Sequence, residues 1–123
     1  MKIYVGHSTK YDYKNEIYKP LLDSILSKKV EFILPHNTDK TFNSKEVIEN
    51  SNLFIAEISE PSLGLGIEIG RAEMKGKKIL CICNDKDKVP SSLKYVNVDV
   101  ITYSDRNDMI RKIEEYVYNN FSI

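Results

Sequence analysis

Two segments of this chain are apolar almost without interruption: Leu53-Phe54-Ile55-Ala56-Glu57-Ile58 and Ile79-Leu80-Cys81-Ile82-Cys83. A strand sends successive side chains to opposite faces, so a strand that is apolar on both must be covered on both. That requirement narrows the architecture to a sheet sandwiched between helices, and the rest of the chain supplies the helices. Lys2–Gly6 reads as a first strand ending at a glycine. Ile17, Tyr18, Leu21, Leu22, Ile25 and Leu26 follow at helical spacing, with Pro20 inside the pattern, so that the helix either starts at the proline or kinks there. Val30–Leu34 is a second strand. Asn43–Asn50 is a short helix in which Asn43 and Glu46 resemble a capping box. After the strand at 53–58 comes a helix over Gly64–Lys75 with a glycine-rich start. The strand at Lys78–Cys83 and a fifth at Val98–Tyr103 precede a last helix over Asp105–Tyr118, whose Met109, Ile110, Ile113, Tyr116 and Val117 share one face.

Strands separated by helical stretches predict an α/β fold: a parallel sheet with helices on both faces. Five such strands fit the flavodoxin-like (Rossmann-like) order 2-1-3-4-5. The length of 123 residues predicts one domain over 1–123. Hydrophobic residues at 41% and charged residues at 29% are ordinary for a globular chain. Eighteen basic residues balance eighteen acidic ones, which argues against a nucleic-acid polymer or an anionic membrane as partner. No apolar run approaches a membrane span and the N-terminus lacks a signal-peptide layout, so the expected location is cytoplasmic. Cys81 and Cys83 share a strand face at a spacing that no zinc site uses, and read as core residues.

In open parallel sheets, ligands bind outside the carboxyl ends of the strands. On that rim lie Gly6-His7-Ser8-Thr9, Pro35-His36-Asn37, Ser59 to Gly66, and Asn84 to Ser92, so both histidines fall on the candidate site. The richest rim segment is Ser59-Glu60-Pro61-Ser62-Leu63-Gly64-Leu65-Gly66-Ile67-Glu68-Ile69-Gly70-Arg71-Ala72. Backbone N–H groups at a strand-to-helix junction can bind an anion, and Gly64 and Gly66 let backbone approach a ligand closely. Ile69 stands where a dinucleotide fingerprint wants glycine or alanine, and the segment follows the third strand, so a standard NAD site is excluded. Glu68, between two isoleucines near a helix N-terminus, is either a solvated glutamate favourable to the helix dipole or an ionised carboxylate suited to attack at an anomeric carbon. Ser62 is a helix N-cap or an anion ligand.

The stretch from Ser51 to Cys83, and above all its run P-S-x-G-x-G-x-E-x-G-R-A, resembles the nucleoside 2-deoxyribosyltransferase family, in particular its 2′-deoxynucleoside 5′-phosphate N-hydrolase branch. The resemblance implies a flavodoxin-like fold and cleavage of an N-glycosidic bond of a nucleoside or nucleotide. It implies Glu68 as nucleophile and Ser62 as a ligand of the 5′-phosphate. It implies Ser92 as a second phosphate ligand contributed by a neighbouring subunit, and hence a homodimer or higher homo-oligomer. Gly6 matches the glycine whose following loop lines the pocket. Two positions depart from the family. Where the family has an aspartate that positions the sugar and assists the leaving base, this chain has Ser44, whose hydroxyl is far too weak an acid for that task. Where the branch has an arginine after the first strand, this chain has His7-Ser8-Thr9-Lys10, from which His7 or Lys10 is the substitute cation. His7 and His36 are the candidates to replace the missing acid. Tyr11 and Tyr13 either stack on a base or cover the core.

The expected function is therefore cleavage of a nucleoside 5′-monophosphate, by hydrolysis or by deoxyribosyl transfer, through Glu68 and without a cofactor or metal. The alternative, supported by Ser44, is a module that binds a nucleotide or nucleotide signal without cleaving it. NAD-cleaving glycohydrolases of the TIR type also place a glutamate on such a rim, but the Ser62-to-Glu68 spacing favours the first family.

Overall fold

The computed structural model describes residues 1–37 and 43–123. Five strands form one parallel sheet: β1 (Lys2–Gly6), β2 (Glu31–Ile33), β3 (Leu53–Glu57), β4 (Lys78–Asn84) and β5 (Asp99–Tyr103), in the order β2-β1-β3-β4-β5. Among the described residues, three α-helices lie between strands, α1 (Lys19–Asp23), α2 (Ser44–Glu49) and α3 (Leu63–Met74), and a fourth, α4 (Arg106–Asn120), follows β5. The flavodoxin-like order expected from the pattern is the order observed.

Strand alternation sorts the core into two layers. Ile3, Val5, Leu53, Ile55, Leu80 and Ile82 face α1 and α4, where they pack on Ile17, Leu21, Met109, Ile113 and Val117. Tyr4, Phe54, Ala56, Ile79, Cys81 and Cys83 face α2 and α3, against Ile48, Leu65, Ile69 and Ala72. Every residue of β3 is buried, as its two-faced apolar sequence demands. Both cysteines are free, buried members of the second layer, and burial pushes the Cys81 thiol up to about 12.

The helix expected over residues 17–26 is shorter and broken. The backbone opens with a π turn over Lys14–Tyr18, closed by the Lys19 N–H on the Lys14 carbonyl, and α1 then begins with Pro20 in its first turn. Proline has no N–H to bond back along the helix, so the wider turn ahead of it leaves no donor missing. Ser24 adopts an extended conformation, and its hydroxyl donates to the Leu21 carbonyl at 2.6 Å. The break rotates Leu22 and Ile25 into solvent although their spacing predicts burial. The other boundaries shift by a residue or two. Asn43, Ser62 and Asp105 are the N-caps of α2, α3 and α4, each accepting a hydrogen bond from the backbone N–H three residues on. Helix α3 stops at Gly76, which at φ 67° hands its N–H to Glu73 and lets Lys77 donate to Ala72.

Gly6 ends β1 for a packing reason. A Cβ there would lie 2.7 Å from Cε1 of Phe54 and 3.1 Å from Cδ1 of Leu65. The Phe54 ring is held edge-on against Tyr4, with centroids 5.3 Å apart, so it has nowhere to yield. Gly6→Ala therefore destabilises the protein by about 1–3 kcal/mol, the range for overpacking a core. Urea melts of the two proteins test this, and equal midpoints contradict the packing.

Candidate active site

The crossover from β1 to α1 leaves the sheet on one side, and the crossover from β3 to α3 leaves on the other. Between the two departing loops, at the carboxyl ends of β1 and β3, the sheet must open a crevice. A cleft of about 460 Å³ occupies it, within the usual size for a small-molecule site. The β1 loop contributes His7 and Thr9, the end of β2 contributes His36, and α2 contributes Ser44. Helix α3 contributes Ser62, Gly64, Leu65, Ile67, Glu68 and Arg71. Hollows of similar size elsewhere, such as the one between α1 and α4 at Asp12, Lys19 and Arg106, lie away from this crevice.

Glu68 is half-buried in the second turn of α3, beyond the first turn in which the helix dipole acts strongly. Its Oε2 accepts a 2.6 Å hydrogen bond from the hydroxyl of Tyr4, a core residue of β1. Burial raises the carboxyl's affinity for its proton. The hydroxyls of Tyr4 and Ser44 and the positive fields of His36 and Arg71 pull the other way without reversing the direction. The carboxylate is thus held by neutral donors from β1 and α2, with Arg71 one turn along its own helix and His36 at the end of β2 acting on it through their fields. Burial, and then the Glu68 carboxylate, hold the Tyr4 phenol above its ordinary range, so it stays a donor.

The two histidines are neighbours, with ring centroids 5.3 Å apart, but they have unequal roles. His7 is buried. Its Nδ1 lies 3.0 Å from the Ser8 carbonyl, which can only accept, so Nδ1 carries the proton. Its Nε2 then accepts from the Tyr18 hydroxyl at 2.6 Å, and that hydroxyl oxygen in turn accepts the backbone N–H of His36 at 3.1 Å. The Tyr13 ring stacks on His7, with centroids 4.2 Å apart. Burial drives the His7 imidazole down to about 4. His7 is therefore neither the substitute cation nor a general acid near neutral pH. His36 is exposed, and its ring lines the cleft.

The N-terminus of α3 is partly occupied by its own chain. Ser62 Oγ accepts from the Leu65 N–H at 3.3 Å, and the Gly66 N–H goes to the Ser62 carbonyl at 3.1 Å. The first-turn N–H groups of Leu63 and Gly64 have no carbonyl to reach within the helix. A Cβ on Gly64 or on Gly66 would meet nothing within 4 Å, so neither glycine is required by packing. Gly64 lines the cleft; Gly66 does not. Gly6 lies behind it under Phe54, and Ser92 sits exposed in the turn Ser91–Leu93, outside this cleft. Neither Tyr11 nor Tyr13 reaches it, since Tyr11 pairs with Tyr103 and Tyr13 covers His7. Lys10 is also outside it. The cation beside the carboxylate is Arg71, one turn further along α3. Tyr4 is not among the residues expected at the site, and Thr9 and Arg71 were expected only as members of the rim segments. Arg71 was detectable, because residues three apart share a helix face. Among the described residues, no three His, Cys, Asp or Glu side chains gather as a metal-ligand set.

Because the folded His7 stays neutral while an unfolded imidazole protonates near 6.5, the fold loses stability as pH falls from 6.5 toward about 4. The ring-carbon shift of His7 in an NMR titration should hold its neutral position until about pH 4. A midpoint at the ordinary 6.5 contradicts the buried, doubly bonded imidazole.

No family model matches the chain. A 5-hydroxymethyl-dUMP N-hydrolase of Branchiostoma floridae is 48% identical over 40 residues, covering 32% of this chain and 38% of that protein. A protein of Thermofilum pendens described as a putative 2′-deoxynucleoside 5′-phosphate N-hydrolase is 27% identical over 74 residues, 55% of this chain and 51% of its own length. The chain thus spans between about a third and a half of these curated relatives. The structure of the Clostridium botulinum CMP N-glycosidase superposes with a TM-score of 0.72 at 24% identity, covering 94% of this chain and 99% of that one; it shares the fold. The resemblance read from Ser51–Cys83 is upheld: the chain is similar to the nucleoside 2-deoxyribosyltransferase family, and specifically to its 2′-deoxynucleoside 5′-phosphate N-hydrolases.

Proposed function

We propose that the protein cleaves the N-glycosidic bond of a nucleoside 5′-monophosphate, with Glu68 as nucleophile. The observation that carries this reading is a half-buried carboxylate, fixed by Tyr4, lining a cleft at the sheet's topological crossover. The relatives' names supply the substrate class. Glu68 attacks C1′ of the sugar, and the bond from C1′ to the base nitrogen breaks. The departing base takes a proton from His36, the exposed imidazole across the cleft from Glu68, in place of the acid that Ser44 cannot be. Water then attacks C1′, gives its proton back to His36 and frees the carboxylate, with net retention at the anomeric carbon. The N–H groups of Leu63 and Gly64 and the Ser62 hydroxyl receive the phosphate at the start of α3. Transfer of the sugar to another base would share the first step, and a phosphate pocket favours water as acceptor.

The site is completed by a second copy of the chain. Ser92 stands outside its own cleft, beside an exposed Tyr95, while Leu63, Ile67 and Met74 form an exposed apolar stripe along α3 next to the cleft. A neighbour seated on that stripe would wall the cleft and bring its own Ser92 to the phosphate. The specific support for the rival reading, a binding module without turnover, is Ser44 in place of a carboxylate.

Base release measured by chromatography across ribo- and deoxyribonucleoside monophosphates separates the two. Wild type should release base, and Glu68→Gln should lose on the order of 10³-fold or more. The raised folded-state pKa means that Glu68 detracts from stability as pH rises above its unfolded value, so Glu68→Gln should melt at or above the wild-type temperature at neutral pH. Tight nucleotide binding with no base release would favour the module. Equal background release by both proteins would end the catalytic reading.

A further inference from the structure

A second glutamate lies outside the cleft and takes no part in the chemistry above. Glu57, the last residue of β3, is 1% exposed, in the layer that faces α1 and α4. A buried carboxylate needs donors on both oxygens. Oε1 accepts the backbone N–H of Ser59, and Oε2 accepts the hydroxyl of Tyr103, the last residue of β5. Because Tyr103 gives its proton to Glu57, its oxygen is left to accept the Tyr11 hydroxyl at 3.1 Å. Ser59 is fixed a second time, its Oγ accepting the Asn84 N–H at 2.7 Å. The two ends of this relay are the two loops that wall the cleft. Tyr11 belongs to the β1 loop that carries His7 and Thr9, and its N–H donates to the Ser8 carbonyl at 3.3 Å. Ser59 begins the loop that ends at Ser62 and the free N–H groups of α3.

We propose that Glu57 and Tyr103 are positioning residues that set the separation of the cleft's two walls, tying Tyr11 to Ser59 through the ends of β3 and β5. The relay acts on binding geometry and leaves the reacting carboxylate alone, since Glu57 and Glu68 lie on opposite faces of the sheet. The kinetic half of this inference rests on the nucleotide-cleaving reading, whereas the mechanical half does not.

Tyr103→Phe removes the middle of the relay while keeping the ring that packs in the core. In amide hydrogen exchange it should speed exchange of both 8–13 and 59–65 by about tenfold or more, with the strands unchanged. In turnover it should raise KM for a nucleoside 5′-monophosphate by about 10- to 100-fold, with kcat within about twofold. Tyr11→Phe, which removes only the outermost hydroxyl, should loosen 8–13 and spare 59–65, and keeps the test open if Tyr103→Phe does not fold. Unchanged exchange in both loops, or a loss of kcat with KM constant, overturns the proposal. If exchange changes as expected but wild type cleaves no nucleotide, the relay stands and the functional reading fails by itself.

Discussion

Strand β3 is buried on both faces, and the rest of the architecture follows from covering it. A parallel neighbour on each side satisfies its backbone, and two helical layers satisfy its side chains. Once β1 and β3 are adjacent and their connections leave on opposite faces, their loops cannot pack against each other at the carboxyl end. The cleft is the gap this topology leaves, and the polar residues around it are those the loops and helix ends happen to carry there. The sheet also crosses the gap structurally: Tyr4 reaches from the middle of β1 to Glu68 on α3, and Gly6 lets Phe54 and Leu65 close the floor beneath it.

The electrostatics of the cleft come from neutral donors more than from ion pairs. Glu68 faces a phenol and a serine hydroxyl, with a guanidinium and an imidazole acting at longer range. In such a setting a carboxylate binds its proton more firmly than in water but can still be charged when a cationic centre develops nearby. A second carboxylate in place of Ser44 would add like-charge repulsion to that burial. In the proposed mechanism, serine at this position spares Glu68 that repulsion and leaves protonation of the leaving base to His36. His7, although it lines the same cleft, is spent on the Tyr18 hydroxyl and the Ser8 carbonyl, and so orders the β1 loop instead.

Much of this was legible in the chain itself. The period-two and helical patterns gave strand order and rim, rim position drew attention to His7, His36, Ser62 and Gly64, and Glu68 stood out by its place between two isoleucines and by the family resemblance. What pattern could not give were contacts that depend on depth and rotation. The Ser24 break, which exposes Leu22 and Ile25, depends on a serine hydroxyl turning back to Leu21. Tyr4 looks like any apolar strand residue until α3 is laid over it. His7 and His36 are alike as rim histidines, and only the long-range Tyr18 hydroxyl separates them. Glu57 reads as an interruption in an apolar strand, and its meaning needs Tyr103, 46 residues on.

The central claim is that the Glu68 carboxylate touches the anomeric carbon of a bound nucleotide. The direct measurement is peptide mass mapping after incubation with a 2′-fluoro nucleoside monophosphate, whose fluorine slows release of a glycosyl-enzyme. A sugar 5-phosphate adduct on Glu68, absent in Glu68→Gln, is the predicted result. An adduct on another side chain, or base release that persists in Glu68→Gln, would contradict it.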